Sequence, residues 1–492
     1  MRDANSLARR TAAGASWSLA HRLVVRLVGF AVTLVLVRLL TPSDFGLVGM
    51  VAVFTGFGKL FSEFGLGTAL VQRPELAEVH RSSVFWINLG AGLILSLAFL
   101  GFAHPIAAFF GEPILVPLVW ALAPAFVLRA AGVVPRALLT RQLDFKALFI
   151  ADSLAVVAGG ALAITLAVQG VGVWSLVAQA LAGAVLTSCG VLVLARWRPR
   201  SMFDWPAVRS LASFGVSVLG VQAMGYWMRR LDNLLVGKVF GASALGIYGQ
   251  AYNVLSYPVE HVKGALIQVL FPALSRLQDA GRMRRAYRRA VGATALVVYP
   301  SVFVLLLTAE DLVATVFGPA WAEMVPLLRV FGLLALWQSV TFSGVLFLST
   351  GRPDLQLRVN LVTNVLIIAG MVIGLQFGVL GVAVGYAIGS TLAMVPRQYF
   401  AGQLAGMSVL DTFAGVGWPL AASIVAALAA WGAGVALGAV MSITANIAVW
   451  HLIVHTLTLS GTYLLLVVVL KPPAYRDLLS LLRRLPRQGE AS

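Results

Sequence analysis

Apolar residues run through this chain in long blocks of about 20, the length a helix needs to cross the hydrocarbon of a bilayer. Fourteen blocks qualify: residues 15–38, 45–71, 82–103, 114–138, 147–168, 171–195, 211–236, 244–272, 287–308, 324–349, 358–376, 378–396, 413–434 and 443–470. Each is expected to form a helix or a broken pair of helices, with polar residues gathered in short connections. The longest connections are Ala309–Glu323 on one side and Arg196–Ser210 and Ser275–Ala286 on the other. None is long enough for a projecting soluble domain. The run Arg196-Trp-Arg-Pro-Arg200 reads as a hinge between two halves.

Those halves echo one another. Arg38-Leu-Leu-Thr-Pro-Ser43-Asp-Phe-Gly46-Leu returns as Lys238-Val-Phe-Gly-Ala-Ser243-Ala-Leu-Gly246-Ile, at an offset of 200. Val116-Pro117-Leu118 returns as Val325-Pro326-Leu327, and Gly170-Val171 as Gly378-Val379, in the same order. Six helices per half give parallel repeats, as in several transporter folds. The expected layout is an N-terminal lobe at 1–195, a linker at 196–210, a C-terminal lobe at 211–400, two further helices at 401–470 and a basic tail at 471–492. The fold class is an all-α integral membrane protein of about 14 transmembrane helices, two six-helix lobes with a pseudo-twofold repeat plus a C-terminal pair.

Composition agrees. Of 492 residues, 60% are apolar and 11% charged, against about 25% charged in soluble domains; mean hydropathy is +0.91. A net charge of +17 invites a nucleic-acid reading, but its distribution argues otherwise. With the N-terminus in the cytoplasm and residues at the block edges counted with the adjoining loops, 26 of the 36 Lys and Arg fall on the cytoplasmic side, two (Arg38 and Lys238) on the external side and eight inside spans. That is the positive-inside pattern, so no nucleic-acid partner is expected and both termini are placed in the cytoplasm. Leu478–Leu485, with Arg483 and Arg484, suits anionic headgroups. The apolar stretch after Arg9 and Arg10 is too long for a cleavable signal and reads as an uncleaved first helix. The single cysteine, Cys189, excludes a disulfide within the chain.

Twelve charges fall where hydrocarbon is expected: Arg22, Arg26, Lys59, Glu63, Arg129, Asp152, Arg229, Arg230, Asp232, Glu260, Lys263 and Arg329. Each would cost about 2.5–3.5 kcal/mol at the bilayer centre, so they must line a wet cavity, pair with one another or snorkel to an interface. Arg22 and Arg26 share a helix face, with snorkelling as the plainer alternative for Arg22. Lys59 and Glu63 share a face, as a cavity pair or a structural ion pair. Glu260 and Lys263 take nearly the repeat-related places with signs reversed, just after Pro258, which should bend its helix. Asp232 is spaced to pair with Arg229, leaving Arg230 unbalanced. Arg129 and Asp152 are expected to pair structurally, and Arg329 to sit near a span end. Cations outnumber anions in the spans, so a wet cavity here should hold an anion, and arginine's planar fork suits phosphate.

Other motifs are weak. His451 and His455 share a helix face, but with no third ligand or carboxylate evident they make a poor metal site. Gly159-Gly160 and the series Gly215, Gly220 and Gly225 read as sites of close helix packing. No Walker loop, His-Glu-x-x-His or Gly-x-Ser-x-Gly occurs, so no cofactor is expected and energy should come from an ion gradient or substrate turnover.

Leu39-Leu-Thr-Pro-Ser-Asp-Phe-Gly-Leu-Val48 and Phe61-Ser-Glu-Phe-Gly-Leu-Gly-Thr-Ala-Leu-Val-Gln-Arg73 resemble the N-terminal region of Wzx-type polysaccharide flippases, in the multidrug/oligosaccharidyl-lipid/polysaccharide exporter superfamily. Gly132–Leu139, Arg230–Gly237 and Phe271–Gln278 resemble the branch containing the colanic acid exporter. The resemblance spans about residues 10–400. It implies a MATE-like fold in a bacterial inner membrane. It also implies movement of undecaprenyl-pyrophosphate-linked oligosaccharide to the periplasmic leaflet by alternating access, with no enzymatic step. Helices 1, 2, 7 and 8 line the family's cavity, which here brings forward Arg22, Arg26, Lys59, Arg229, Arg230 and Lys263 for pyrophosphate, with Glu63, Asp232 and Glu260 as cavity or ion-pair partners. Membrane lipids, a polysaccharide polymerase and a coupling ion are the other partners to consider. A drug/cation antiporter on the same fold would want a surplus of carboxylates. A polymerase or ligase would want catalytic groups on a long external loop.

Overall fold

The computed structural model describes residues 17, 21, 24–63, 66–73, 76–277, 279–440, 447–473, 475 and 476. Among them every regular element is a helix. Hydrocarbon offers no partner for a backbone N–H or C=O, and a helix satisfies both within one segment. Nine helical segments among the described residues are long and apolar enough to cross a membrane; this is a multi-pass membrane protein.

Among the described residues, each of the fourteen apolar blocks corresponds to helix. The first gives α1 (24–39) and the second α2 (Pro42–Glu63) and α3 (Leu66–Gln72). Next come α4 (Glu78–Phe110), then α5 (Leu115–Leu122) and α6 (Pro124–Arg141), which share one block broken before Pro124. α7 (Phe145–Val168) and α8 (Val173–Leu194) follow. α9 (Trp205–Arg276) carries two blocks, and its one residue with non-helical dihedrals is Gly241, at φ 83° and ψ −173°. Only glycine adopts that conformation readily. That break falls in the connection between the blocks 211–236 and 244–272, while Pro258 stays within the helix. α10 (Ala280–Leu312) runs into a π-helical turn, Val313–Phe317. α11 (Met324–Ser339) and α12 (Ser343–Ser349) share a block, and α13 (Pro353–Gly374) and α14 (Gly378–Leu404) form a hairpin. The C-terminal pair is α15 (Gly417–Val440) and α16 (Ile447–Leu470). The tail helix expected at 478–485 lies outside the described residues.

Contacts gather the chain into two compact units, Met1–Gly246 and Ile247–Ser492. In the first, Thr41 and Asp44 close a capping box at the start of α2. The Thr41 N–H and hydroxyl donate to Asp44 Oδ2 at 2.9 and 2.7 Å, and the Asp44 N–H returns to Thr41 Oγ1 at 3.3 Å. This repeat motif meets its own copy. A Cβ on Gly46 would overlap the Ala242 carbonyl oxygen, and a Cβ on Gly246 would overlap the Pro42 carbonyl oxygen. Positions 42 and 46 thus contact 246 and 242, each copy using the same two places. Gly160 admits Val32 of α1 in the same way, beside a cluster of Val32, Leu36, Ala163 and Leu176.

The expected hinge is fastened down. Trp197 and Trp86 indole N–H groups donate to Glu78 Oε1 (2.7 Å) and the Arg200 carbonyl (2.9 Å), while Ser82 and Ser83 hydroxyls accept the Arg200 and Asp204 N–H groups at 3.2 and 2.9 Å. Residues 197–204 are therefore strapped along the first turns of α4.

In the second unit, α15 and α16 pack on α10 through Leu296, Ala426, Ala430, Leu459 and Tyr463, and the Tyr463 hydroxyl donates to the Leu296 carbonyl at 2.8 Å. The Tyr287 hydroxyl accepts both the Phe342 N–H (3.1 Å) and the Gln398 amide (3.0 Å), tying α10 to α14 and to the break between α11 and α12. Asp411 clamps Arg284 and Arg288 at 2.5 Å each. The Ser408 N–H and these two guanidinium groups hold its carboxyl down at about 2. Outward faces are apolar, as at Leu93, Ile94, Leu97, Leu428, Leu457 and Leu464. Water would not tolerate such a surface.

Two outcomes are expected in thermal unfolding of detergent-solubilised protein. Gly46→Ala and Gly246→Ala should each destabilise by about 2–3 kcal/mol, because a backbone carbonyl cannot yield to the new methyl. Gly90→Ala, whose Cβ would meet nothing within 4 Å, should be neutral or stabilising by up to about 1 kcal/mol. The melting-temperature gap between wild type and Asp411→Asn should be fully open above the ordinary carboxyl value of 3.8 and close as pH falls toward 2. A carboxylate with a depressed folded-state pKa gives up its stabilisation only on acidification.

Candidate functional site

Ring stacking brings the first half of α9 against α2. Trp227 lies 6.2 Å from Phe54 and 5.0 Å from Phe57, and Tyr226 lies 6.0 Å from Phe57. Close approach is possible because α2 has glycine at position 56, where a Cβ would collide with the Tyr226 hydroxyl oxygen. That hydroxyl sits 2.7 Å from the Val53 carbonyl and 3.1 Å from the Ala52 carbonyl, and it accepts a hydrogen bond from Arg230. Arg229 folds back along its own helix. A Cβ on Gly225 would come within 3.2 Å of its Nη1, so Gly225 houses a guanidinium rather than a neighbouring helix. Arg229 and Arg230 are both exposed, with no carboxylate among the described side chains in ion-pair range. Asp232, expected beside Arg229, is instead buried, and its carboxylate accepts the Asn233 N–H at 2.7 Å.

The first unit also holds Arg26, exposed on α1. Arg22 lies outside the described residues, as do the side chains of Lys59 and Glu63, whose backbone belongs to α2. In the second unit Glu260 is exposed, while Lys263 donates to the Gln338 carbonyl at 2.7 Å, with its ammonium 5.6 Å from the Phe342 ring. It thereby caps the broken end of α11, where orphan carbonyls and the helix dipole both favour a cation. An ammonium has three donors, so two remain.

One expected pairing and one expected absence are corrected. Asp152 is bound by Arg136 and, at 3.0 Å, by His21 Nε2, not by Arg129. The carboxylate thought to be missing beside the histidines is Asp311, 3.8 Å from His455 Nδ1, with the His451 and His455 rings 5.5 Å apart. Among the described residues no group of three or more His, Cys, Asp or Glu could hold a metal ion. Arg329 pairs with Glu310 at 2.8 Å in an exposed position, as a span-end residue should. Sequence reasoning missed Tyr226; its one signal is that Tyr226 stands four residues before Arg230, on the same helix face.

The family described as "Polysaccharide biosynthesis protein" matches residues 35–326. The chain is 27% identical to the lipopolysaccharide biosynthesis protein WzxC of Escherichia coli K12, covering 78% of this chain and 79% of WzxC. It is 29% identical to the succinoglycan biosynthesis transport protein ExoT of Rhizobium meliloti, covering 66% and 65%. Teichuronic acid biosynthesis protein TuaB of Bacillus subtilis is 26% identical, covering 71% and 73%. In fold it is similar to the lipid II flippase MurJ in an inward closed conformation (TM-score 0.71, 14% identity, 94% of this chain and 99% of that one). It also resembles an inward-facing MATE family multidrug resistance transporter of the MOP superfamily (0.62, 16%, 77% and 94%). The resemblance read from residues 39–48 and 61–73 thus holds, and the helical architecture is that of this superfamily. Matched by that profile over more than half its length, the chain belongs to the polysaccharide biosynthesis protein family.

Proposed function

We propose that this protein flips undecaprenyl-pyrophosphate-linked oligosaccharide from the cytoplasmic to the periplasmic leaflet of a bacterial inner membrane, for exopolysaccharide or O-antigen synthesis. The observation that carries the reading is the pair Arg229 and Arg230. Two exposed guanidinium groups stand on a helix of a membrane protein, with Tyr226 and Gly225 shaped around them. Charge at that place is costly unless water and an anion reach it, and a pyrophosphate offers several oxygens to a planar fork. Support comes from relatives named for lipopolysaccharide biosynthesis, succinoglycan biosynthesis transport and teichuronic acid biosynthesis.

In this mechanism the diphosphate docks on Arg229 and Arg230, with Arg22, Arg26 and Lys59 as the further cations that meet it. The polyprenyl tail stays in hydrocarbon and the sugar takes the hydrated path. Alternating access of the halves at 1–195 and 211–400 then exposes the sugar to the far side; a ligand drives such a change only by its difference in affinity for the two states. Exposed cations disfavour a cation-drug antiporter, whose site would call for carboxylates.

The test is flipping of undecaprenyl-pyrophosphate-linked oligosaccharide in reconstituted vesicles. Arg26→Ala and Arg230→Ala should each slow initial flipping at least about tenfold, the loss of one charge-assisted hydrogen bond or more. Tyr226→Phe, which keeps the ring but frees Arg230, should slow it several-fold. Undiminished flipping by both arginine variants would remove the site.

A further inference from the structure

The α13–α14 hairpin is the least buried of the candidate spans among the described residues. Its two backbones touch: a Cβ on Gly370, Gly374 or Gly389 would overlap a carbonyl oxygen of the other helix or approach it closely. Its outer surface is aliphatic, with Leu361, Val362, Val365, Ile388 and Leu392 exposed. A cation interrupts this surface inward of the exposed Arg358 near the start of α13. Arg397 of α14, half-buried, donates from Nε to Thr363 Oγ1 and from Nη2 to Asn364 Oδ1, each at 2.7 Å.

Both acceptors are neutral, and no carboxylate among the described residues lies in ion-pair range of Arg397. The charge therefore stands uncompensated on an apolar hairpin. Two of its five N–H groups are used. The two bonds fix the guanidinium plane and leave a fork whose natural complement is a pair of anionic oxygens.

Depth identifies the anion. Arg397 lies seven residues before Leu404, about 10 Å along the helix axis from that end. The same end carries Arg352 and Arg358, and exposes Tyr399 and Phe400. The opposite end, Gly374–Gly378, carries no charged residue. Aromatic and basic residues at one end mark the interface of hydrocarbon and headgroups. An anion arriving there, on a hairpin with aliphatic flanks, brings acyl chains with it.

We propose that Arg397, Thr363 and Asn364 form a binding site for the phosphate of an anionic glycerophospholipid. A zwitterionic lipid is a poorer ligand because its own ammonium competes for the phosphate. The lipid neutralises Arg397 and seals the hairpin at headgroup depth. This site shares no residue with the proposed path for the polyprenyl substrate, so the two proposals stand or fall separately.

Native mass spectrometry of the purified full chain, titrated with phosphatidylglycerol, phosphatidylcholine or inorganic phosphate, tests it. Wild type should retain phosphatidylglycerol over phosphatidylcholine, and millimolar phosphate should not displace it. Arg397→Gln should weaken retention about tenfold, and Asn364→Leu, which leaves the charge in place, several-fold. Arg397→Lys should fall between wild type and Arg397→Gln. Wild-type melting temperature should rise with phosphatidylglycerol and not with phosphatidylcholine, a readout independent of how the variants fold. Wild-type retention by Arg397→Gln, equal retention of both lipids, displacement by phosphate, or no selective rise in melting temperature would each overturn the site.

Discussion

A charge in hydrocarbon must find a counter-charge, a dipole or water, and much of this molecule is arranged around that demand. Asp152 takes Arg136 and His21, and Arg329 takes Glu310. Lys263 takes the open end of a broken helix, and Arg397 takes two neutral oxygens. Each answer differs in what it leaves over. A matched ion pair is electrically closed, whereas a cation on a carbonyl, a hydroxyl or an amide keeps most of its charge for a further partner. Arg229 and Arg230 keep the most, since among the described side chains Tyr226 is the partner set against them.

The same solvent explains the dependence on glycine. Lipid is as apolar as leucine, so helices gain little by hiding leucine from it and associate through close backbone contact instead. Gly46, Gly246 and Gly370 are such contacts. Gly56 and Gly225 do different work, making room for a tyrosine hydroxyl and a guanidinium. One residue type thus serves both the packing of the bundle and the shape of its cationic face.

The helices were legible in the sequence because a bilayer imposes one length and one composition on every span. The blocks 413–434 and 443–470 correspond, among the described residues, to α15 and α16. Partnerships were not legible, since they depend on which faces meet. Arg129 and Arg136 are two turns apart on α6, and nothing in the spacing says which one reaches Asp152. The apolar blocks also stopped at the charges that mattered. The block 287–308 ended before Asp311 and 378–396 ended one residue before Arg397, so both were read as loop residues. Hydropathy trims a span where its ends turn polar, although the helices continue to Leu312 and Leu404.

The turn around Gly46 and its copy around Gly246 form a contact whose halves are written twice in the chain, and this ties the fate of distant codons together. Bulk gained at position 46 presses on 242, and bulk gained at 246 presses on 42. Substitutions in the two copies are therefore accommodated crosswise, each by the other copy. Proline at 42 and alanine at 242 show that the copies have already diverged while the glycines opposite them have not.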